Sequence, residues 1–585
     1  MNALRASFSR TAILLTATAM QLLLIPPAAS FAETPVVGGT LKIVGTGDLD
    51  HFDPASAGMV ITDNFLRATQ RRLISYAAST DADVRITPVG DIATEVPQPS
   101  ADGLSYSFTI RDGAMWDAPS GPRQITSADF VLGMKRMCNP VVGSSALTYY
   151  TGLIQGMVEF CDGFAKVEPT VDAMKAYVAA NQITGIETPD DKTIVIKLIE
   201  PAGDFVYMLS LAPASPAPVE SMDYIPDSPE YRKNYIASGP YKVAEYTADV
   251  VMKLVRNPAW QPESSTIQGA YVDEIEVTYG IQPDAAIQQL QTGDADMLFD
   301  ITIPPAQIQL LSAAGDEKLI AIGTGRTAFL FINTVSGNNN SALKDLRVRQ
   351  AIAYAIDKAA IVQQVGGPDL AAPQNGIFGP GVVGYHDFNL YPSADGKGDP
   401  EKAKALLAEA GFPDGITLKM PFRNQNTEPA IAETIQASLS KAGITLELTP
   451  VPPSDYYAKF MTNPENTQNG TWDIAPVGWA PDWVGGAARS VFQPQFTFDG
   501  HHQTYNYTDY NNEAATALAK QAINATNPEE MAKLWAQVDE LVMADIPVIP
   551  FIAPTVVLYH SDAVQNFQPY ALGGQGDWTN VWLQR

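Results

Sequence analysis

The chain is 585 residues long and carries 37 basic and 64 acidic residues, which gives a formal net charge of −27. This length exceeds that of an ordinary single domain, and 46% hydrophobic residues are enough to build large cores. With 17% charged residues, the composition is that of a folded protein and not of a disordered one. The acidic excess argues against nucleic acid and anionic membrane surfaces as partners, because both require a basic face.

The first 32 residues have the pattern of a secretory signal peptide. Arg5 and Arg10 precede an apolar stretch at residues 11–25, and small residues follow up to Ala32. We predict cleavage after about Ala32 and export of the mature chain. The alternative is an uncleaved anchor, but the apolar stretch falls short of the ~20 residues that span a bilayer. No cysteine lies near the cleavage site, which argues against a lipoprotein and favours a periplasmic location, with free secretion as the alternative.

The sequence has two cysteines, Cys138 and Cys161. An even number in an exported chain predicts one disulfide bond. The loop that it closes has about 23 residues, and the chain-entropy model gives such a loop roughly 3–3.5 kcal/mol of stabilisation. The alternative is a reactive or metal-binding thiol pair, which lacks the close CxxC spacing and a nearby histidine.

Strand and helix patterns alternate along the whole chain. Residues 104–110 alternate apolar and polar side chains, residues 193–198 do so in part, and both patterns predict strands. Residues 212–218 and 377–384 are rich in Pro and Gly and predict loops. The mixture of strands and helices predicts large α/β lobes.

Three helices are predicted from their ends and apolar stripes. Asp399-Pro400 and Asn527-Pro528 each place a capping side chain before a first-turn proline, ahead of apolar residues that recur at helical spacing. A third helix is predicted as one continuous element over residues 346–364, ended by Gly366-Gly367. These apolar stripes are interpreted as core.

Common catalytic motifs are absent from the sequence: it contains no HExxH, GxSxG, CxxC or GxxxxGK[ST]. Residues 379–384 match GxGxxG, but Pro380 lies inside the match and no apolar strand leads directly into it, so we interpret it as a loop. With five histidines in the chain, we predict no metal site. We expect no cofactor and no enzymatic activity.

A series of segments forms an ordered set of motifs along the chain. The segments are residues 38–41, 49–54, 102–113, 125–131, 238–243, 256–258, 290–296, 345–352, 379–384, 478–483 and 546–551. In this order they resemble the extracytoplasmic solute-binding proteins of family 5, the peptide and oligopeptide binders of ABC importers. The resemblance covers nearly all of residues 38–570, and the ordered set is far more specific than any single segment.

The resemblance implies an α/β, two-lobed periplasmic binding protein fold of the large family-5 type. Mixed sheets flanked by helices form two lobes, which close on a ligand by rotating about two hinge crossings, here expected near residues 298–305 and 548–554. We expect an N-terminal lobe of residues 33–300 plus 550–585, with an inserted subdomain at about 77–196. The C-terminal lobe is expected to comprise residues 301–549.

The resemblance also implies a set of ligand-binding residues. Asp482 occupies the position at which an acidic residue of the peptide-binding members holds the ligand's α-amino group, and such a pair forms a charge-assisted hydrogen bond. Trp479 and Trp483 are expected to supply apolar walls. The backbone around Gly478 is expected to pair with an extended peptide as an added strand. Met59 and Val60 lie where the family brings a facing segment to the ligand.

The implied function is that of a monomeric receptor that captures peptides and delivers them to a membrane ABC permease. One departure keeps alternatives open, because Trp483-Val484-Gly485-Gly486 follows Asp482 where peptide binders often have Tyr or Asn with Asp-Pro. An oligosaccharide or another small solute is therefore a second candidate ligand for the same fold. A secreted hydrolase of peptides or glycans is a third reading, which requires two carboxylates that face one cleft.

Overall fold

The structure is a computed structural model that describes residues 34–58, 62–144, 146–425, 427–497, 505–572 and 574–585. The predicted signal peptide lies outside the described residues, and so do Met59 and Val60. Residues from Val36 to Arg585 form one compact unit. Within the described ranges, no helix combines the length and the apolar character needed to cross a membrane.

Strands occur from one end of this unit to the other. In chain order they are β1 (Thr40–Gly45), β2 (Ile74–Tyr76), β3 (Pro88–Gly90), β4 (Ser105–Thr109), β5 (Met115–Trp116), β6 (Arg123–Gln124), β7 (Ile186–Glu187), β8 (Thr193–Lys197), β9 (Tyr241–Thr247), β10 (Val251–Arg256), β11 (Glu274–Thr278), β12 (Met297–Phe299), β13 (Ile320–Gly323), β14 (Thr327–Ile332), β15 (Ala371–Pro373), β16 (Ile416–Arg423), β17 (Ile444–Val451), β18 (Ile474–Trp479), β19 (Val548–Leu558), β20 (Val564–Gln565), β21 (Pro569–Tyr570), β22 (Gln575–Gly576) and β23 (Trp582–Leu583).

Helices are interspersed with these strands. In chain order they are α1 (Thr62–Thr69), α2 (Ala82–Ile86), α3 (Ser127–Met137), α4 (Leu147–Thr151), α5 (Met157–Phe164), α6 (Val171–Ala180), α7 (Phe205–Met208), α8 (Pro229–Lys233), α9 (Pro283–Thr292), α10 (Pro305–Ala313), α11 (Asn338–Ser341), α12 (Leu346–Ala355), α13 (Lys358–Gln364), α14 (Pro400–Glu409), α15 (Glu428–Lys441), α16 (Pro453–Asp455), α17 (Pro464–Gln468), α18 (Ala488–Phe496), α19 (Glu513–Asn524) and α20 (Pro528–Asp545).

Two five-stranded sheets organise the fold, one in each of two lobes. The first sheet has the order β12-β1-β11-β10-β9, with β1 parallel to β11 and β12, and β10 antiparallel to its two neighbours. The second sheet has the antiparallel order β13-β19-β14-β18, and β15 also pairs with β19. The fold is therefore mixed α/β, as the sequence predicts.

Strand β14 shows why the second lobe needs helices on both faces of its sheet. Phe329 and Phe331 pack into one core together with residues of α18, α19 and α20. Leu330 and Ile332 pack into the other, together with residues of α12, α13, α14 and α15. A strand that buries both faces has an unbroken apolar run in place of alternation, as this one does.

A smaller layer within the first lobe contains both predicted strands and the disulfide bond. Strand β4 pairs with β8 and β8 with β7, so the two alternating segments are confirmed as strands that pair with each other. The Cys138–Cys161 disulfide is also confirmed, and it joins the end of α3 to α5. The apolar side chains of these strands and helices share one core.

The predicted helix over residues 346–364 is wrong in one respect, because the structure has two helices there. Helix α12 ends at Ala355, Ile356 is extended, and α13 begins at Lys358. The Asp357 side chain accepts a hydrogen bond from the backbone N–H of Ala360 and so caps the second helix. The two predicted capping residues are confirmed: Asp399 caps α14 and Asn527 caps α20.

The chain passes between the lobes along the edges of the sheets. Strand β12 belongs to the first sheet, and the next strand, β13, belongs to the second. On the return, β19 pairs with β14 from Val548 to Ile552 and with β13 from Thr555 to Leu558. Residues after β19 rejoin the core of the first sheet. Both passages lie beside the cavity described next.

Candidate functional site

A cavity of about 710 Å³ is lined by residues from both lobes and from both passages between them. Ligand sites usually have volumes of about 300–1,000 Å³ and mix apolar walls with a few polar groups. This lining has that character. Its residues are Ala57, Gly58, Asp63, Leu66, Ala146, Tyr149, Leu211, Ala212, Pro213, Asp300, Ile301, Thr302, Ile303, Ile308, Thr324, Arg326, Leu370, Ala480, Pro481, Asp482, Trp483, Val484, Thr555, Val556, Val557, Ala571, Leu572, Gly574 and Gln575.

Asp482 lies three residues beyond the end of β18 and faces this cavity. Its backbone N–H donates to the Ser490 hydroxyl at 3.0 Å, which fixes the turn after the strand. Its carboxylate accepts a hydrogen bond of 2.5 Å from the Tyr149 hydroxyl of the first lobe. Among the described residues it has no basic partner. Although Asp482 is open to the cavity, surrounding protein atoms partly bury it and raise the pKa of its carboxyl, while the Tyr149 bond lowers that pKa.

Trp483 is a wall residue whose indole is almost fully withdrawn from solvent. It lines the cavity, yet it is 2% exposed and belongs to the core that surrounds β4 and β8. The Tyr149 ring meets it edge to face, with the ring centroids 5.0 Å apart. Tyr149 is a site residue that the sequence analysis missed. The buried Trp483 ring thus fixes the position of the Tyr149 ring beside Asp482.

Trp479 and Gly478 do not line the cavity. The Trp479 indole N–H donates to the backbone carbonyl of Ser490 at 3.0 Å, and its ring packs against Tyr505. Gly478 is exposed and lies opposite Ala328 in the β14–β18 ladder.

Strand β18 lies at the end of the strand order of its sheet. The carbonyl of Pro476, two residues before Gly478, accepts a hydrogen bond from the Tyr456 hydroxyl and so points away from β14. Alternate residues of an antiparallel strand point the same way. The backbone polar groups of Gly478 are therefore directed to the open edge of the sheet.

Arg326 is the basic residue among those that line the cavity, and the sequence analysis missed it as well. It is exposed, it directly precedes β14, and no described residue forms an ion pair or hydrogen bond with its guanidinium. The preceding Gly325 has φ +74°, and a Cβ there would lie 2.9 Å from Pro481. Glycine thus allows the turn that carries Arg326 to pack against the turn that carries Asp482.

Two further carboxylates line the cavity, and they differ in their partners. Asp63 on α1 forms an ion pair with Arg72, which is buried. Asp300 follows β12, and the Thr46 hydroxyl lies 3.4 Å from its Oδ2. Burial raises the pKa of the Asp300 carboxyl. No local sequence pattern singles out either residue beyond its place next to a regular element.

Residues 483–489 bind the second lobe to the first through hydrogen bonds and an ion pair. The Tyr76 hydroxyl donates to the carbonyl of Val484 at 3.0 Å. Arg489 lies 2.9 Å from Asp204 in an ion pair that is largely buried on both sides. The predicted loop at 377–384 is confirmed as a loop, and its Val383 N–H donates to the carbonyl of Gly485 at 2.8 Å. Residues 483–489 are thus in contact with the first lobe on one side and with the loop at 377–384 on the other.

Comparison with known proteins identifies the family of this architecture. Residues 87–488 match the model of the bacterial extracellular solute-binding proteins, family 5. The match covers more than half of the chain. The chain belongs to this family. No group of three or more His, Cys, Asp or Glu side chains in the described part of the chain is arranged to hold a metal ion.

Relatives whose names state a binding function match most of this chain. The chain is 26% identical to "Probable di/tripeptide-binding protein 5" of Pseudomonas aeruginosa, covering 94% of this chain and 97% of that protein. It is 25% identical to heme-binding protein A of Haemophilus influenzae, covering 77% and 76%. The solved structure of clavulanic acid biosynthesis oligopeptide binding protein 2 matches with a TM-score of 0.80 at 24% identity, covering 94% and 96%, and shows the two-lobed fold.

Proposed function

We propose that the protein is the extracytoplasmic substrate-binding component of an ABC importer, which captures peptides between its lobes and delivers them to a membrane permease. The observation that carries the proposal is Asp482, a carboxylate without a basic partner among the described residues, at a cavity between two lobes. Relatives whose names state di/tripeptide and oligopeptide binding support it.

The carboxylate of Asp482 suits the α-ammonium group of a peptide. Tyr149 occupies Oδ2, and a carboxylate has about four acceptor positions, so an ammonium can bind at the same time. A charge-assisted hydrogen bond of this kind strengthens as closing lobes exclude water. The open edge at Gly478 offers backbone groups to an extended chain. Arg326 supplies a positive charge for a carboxylate of the ligand. A guanidinium can bind a carboxylate through two parallel hydrogen bonds.

Ligand capture requires the lobes to favour the closed arrangement only when a ligand bridges them. We propose an N-terminal lobe of residues 33–300 plus 550–585, with a subdomain at about 77–196, and a C-terminal lobe of residues 301–549. We further propose that the protein works as a monomer in the periplasm after cleavage at about Ala32.

Native mass spectrometry of the protein purified without refolding, followed by release of the bound material, tests the ligand class. Peptides of mixed sequence and narrow length range are expected. A single sugar or another non-peptide solute would retain the transport role and overturn the peptide assignment. Hydrolysis of added peptides or glycans would indicate an enzyme instead.

Asp482→Asn tests the site. The amide keeps an acceptor for Tyr149 and removes the charge, so peptide affinity measured by calorimetry is expected to fall by about 2–4 kcal/mol. Asp414→Ala is the matched control, because Asp414 is an exposed carboxylate that does not line the cavity. Equal affinity of Asp482→Asn and the wild type would remove Asp482 from the binding site.

A further inference from the structure

Among the described residues, the charged groups that line the cavity are not all balanced by opposite charges. They are Asp63, Asp300, Asp482 and Arg326. Arg72 neutralises Asp63. For Asp300, Asp482 and Arg326, no described residue provides an ion-pair partner. The cavity therefore presents two negative charges and one positive charge to whatever occupies it.

Asp300 is held in a defined position at the passage between the lobes. Its backbone has φ +48°, a left-handed conformation that Asp and Asn adopt more readily than other non-glycine residues. The Thr46 hydroxyl donates to the backbone carbonyl of Asp300. The same hydroxyl lies 3.4 Å from Oδ2. The end of β1 thus fixes both the backbone and the side chain of Asp300.

Two glycines at the end of β1 allow this close packing. A Cβ at Gly45 would lie 2.7 Å from the carbonyl oxygen of Phe299, and a Cβ at Gly47 would lie 3.0 Å from Oδ2 of Asp300. A larger residue at Gly45 would push the turn at 299–300 away from the strand, and one at Gly47 would crowd the carboxylate of Asp300. The local sequence of β1 therefore has the residues that place the carboxylate of Asp300 on the cavity wall.

A carboxylate in this position favours a cation. Partial burial disfavours its charged form, and a hydroxyl donor compensates less than an opposite charge does. A cation that enters with the ligand would restore the lost solvation. No metal-binding group accompanies Asp300 in the described chain, so a cation that is part of the ligand fits better than a metal ion.

We propose that Asp300 receives a second positive charge of the ligand, so that the cavity selects short peptides with a basic side chain over neutral ones. The inference rests on the proposed function, in which Asp482 holds the α-ammonium group and Arg326 the carboxylate. A peptide with one lysine or arginine and a free carboxyl end carries two positive charges and one negative charge, which complement the three unpaired charges of the wall.

The test compares two tripeptides that differ by one charge. The full mature protein, stripped of co-purified ligand, is titrated calorimetrically with Ala-Lys-Ala and with Ala-norleucine-Ala, which keeps the methylene chain and lacks the side-chain ammonium. The wild type is expected to bind the lysine peptide about tenfold or more tightly, as a charged hydrogen bond gives. In Asp300→Asn the ratio of the two affinities is expected to fall to about one, because only the lysine peptide loses a charged partner.

Two variants make the result specific to Asp300. Asp300→Asn keeps the backbone conformation, because Asn tolerates a positive φ. Asp300→Gly also removes the charge, adopts the positive φ freely and adds no side-chain amide. Asp482→Asn is expected to weaken both tripeptides by a similar factor and to leave their ratio unchanged.

Equal binding of the two tripeptides to the wild type would overturn the selection by Asp300 and leave the peptide-binding function standing. A preference for lysine that survives in Asp300→Asn and Asp300→Gly would overturn it in the same way. Failure of the wild type to bind either tripeptide would overturn the peptide-binding function and this inference together.

Discussion

Residues 478–482 and residues 483–489 are consecutive, yet they make opposite kinds of contact. The first stretch, the open half, presents an exposed strand edge at Gly478 and the carboxylate of Asp482. The second stretch, the packed half, buries Trp483 and pairs Arg489 with Asp204. The contrast shows a carboxylate on the cavity wall that has no basic partner among the described residues, directly beside a segment that is closely packed.

Two carboxylates illustrate the same contrast. Burial raises the pKa of both Asp204 and Asp482. Asp204 is compensated by the Arg489 guanidinium, whereas Asp482 has only the Tyr149 hydroxyl as its side-chain donor in the described structure. The first carboxylate is compensated inside the protein, and the second is the one that we propose binds the ligand.

The largest effect is expected from Arg489→Met, which breaks the packed half. The change leaves Asp204 buried without its cation and should cost about 3–5 kcal/mol of unfolding free energy. Chemical denaturation at pH 7.5 measures it. The double variant Asp204→Asn/Arg489→Met, which removes both charges, should recover most of the loss. If Arg489→Met is as stable as the wild type, the ion pair does not stabilise the contact between the lobes.

The same variant should depend on pH in a defined direction. The folded-state pKa of Asp204 is already above the unfolded value and should rise further without Arg489. The folded state then takes up a proton before the unfolded state does, so acidification favours folding. The difference in unfolding free energy between the wild type and Arg489→Met is expected to shrink as the pH falls from neutral towards about 4.

Gly485→Ala should disturb the packed half less severely. Gly485 has φ +73°, and a Cβ would lie 2.6 Å from the carbonyl oxygen of Ile86. Backbone strain of about 1–2 kcal/mol and overpacking of about 1–3 kcal/mol should together lower the stability and weaken peptide binding. Gly381→Ala is the control, because Gly381 has φ +95° with no heavy atom within 4 Å of the added Cβ. Equal losses in both variants would mean that strain alone explains the effect.

Tyr149→Phe should have the smallest effect and concerns the open half. The ring keeps its contact with Trp483, while Asp482 loses one hydrogen bond, so peptide affinity should fall by about 0.5–1.5 kcal/mol. Because the Tyr149 bond lowers the pKa of Asp482, its loss should raise that pKa and weaken binding more at pH 5 than at pH 8. Calorimetry at both pH values measures this. Tighter binding would show that Tyr149 competes with the ligand.

The fold was predictable because its signals are local and ordered. The apolar and polar alternation of β4 and β8, the caps at Asp399 and Asn527, and the ordered segments shared with the family each depend on neighbouring residues. The prediction of one continuous helix over residues 346–364 is wrong for a local reason too. Asp357 interrupts it by capping a new helix, and its side chain competes with the helical hydrogen bonds of the backbone.

Of the residues that line the cavity, the sequence predicted Asp482 and Trp483, which are neighbours in one family motif. Tyr149 reaches Asp482 from 333 positions away in the sequence, and no periodic pattern reports such a contact. Arg326 and Asp300 lie next to apolar strands, where charged residues are common and most are solvated. Their proposed roles depend on the cavity that the two lobes form together, and on the lack of an opposite charge around them in the described part of the chain.

The antiparallel pairing of β13 with β19 has a mechanical consequence. Four residue pairs, from Ile320 opposite Leu558 to Gly323 opposite Thr555, connect the two strands where the chain returns to the first lobe. Rotation of the lobes about this ribbon twists a hydrogen-bonded ladder and does not turn one pair of backbone dihedrals. We therefore expect the ribbon to behave as a torsion element, which distributes the deformation over several residues and opposes large rotations with a restoring torque.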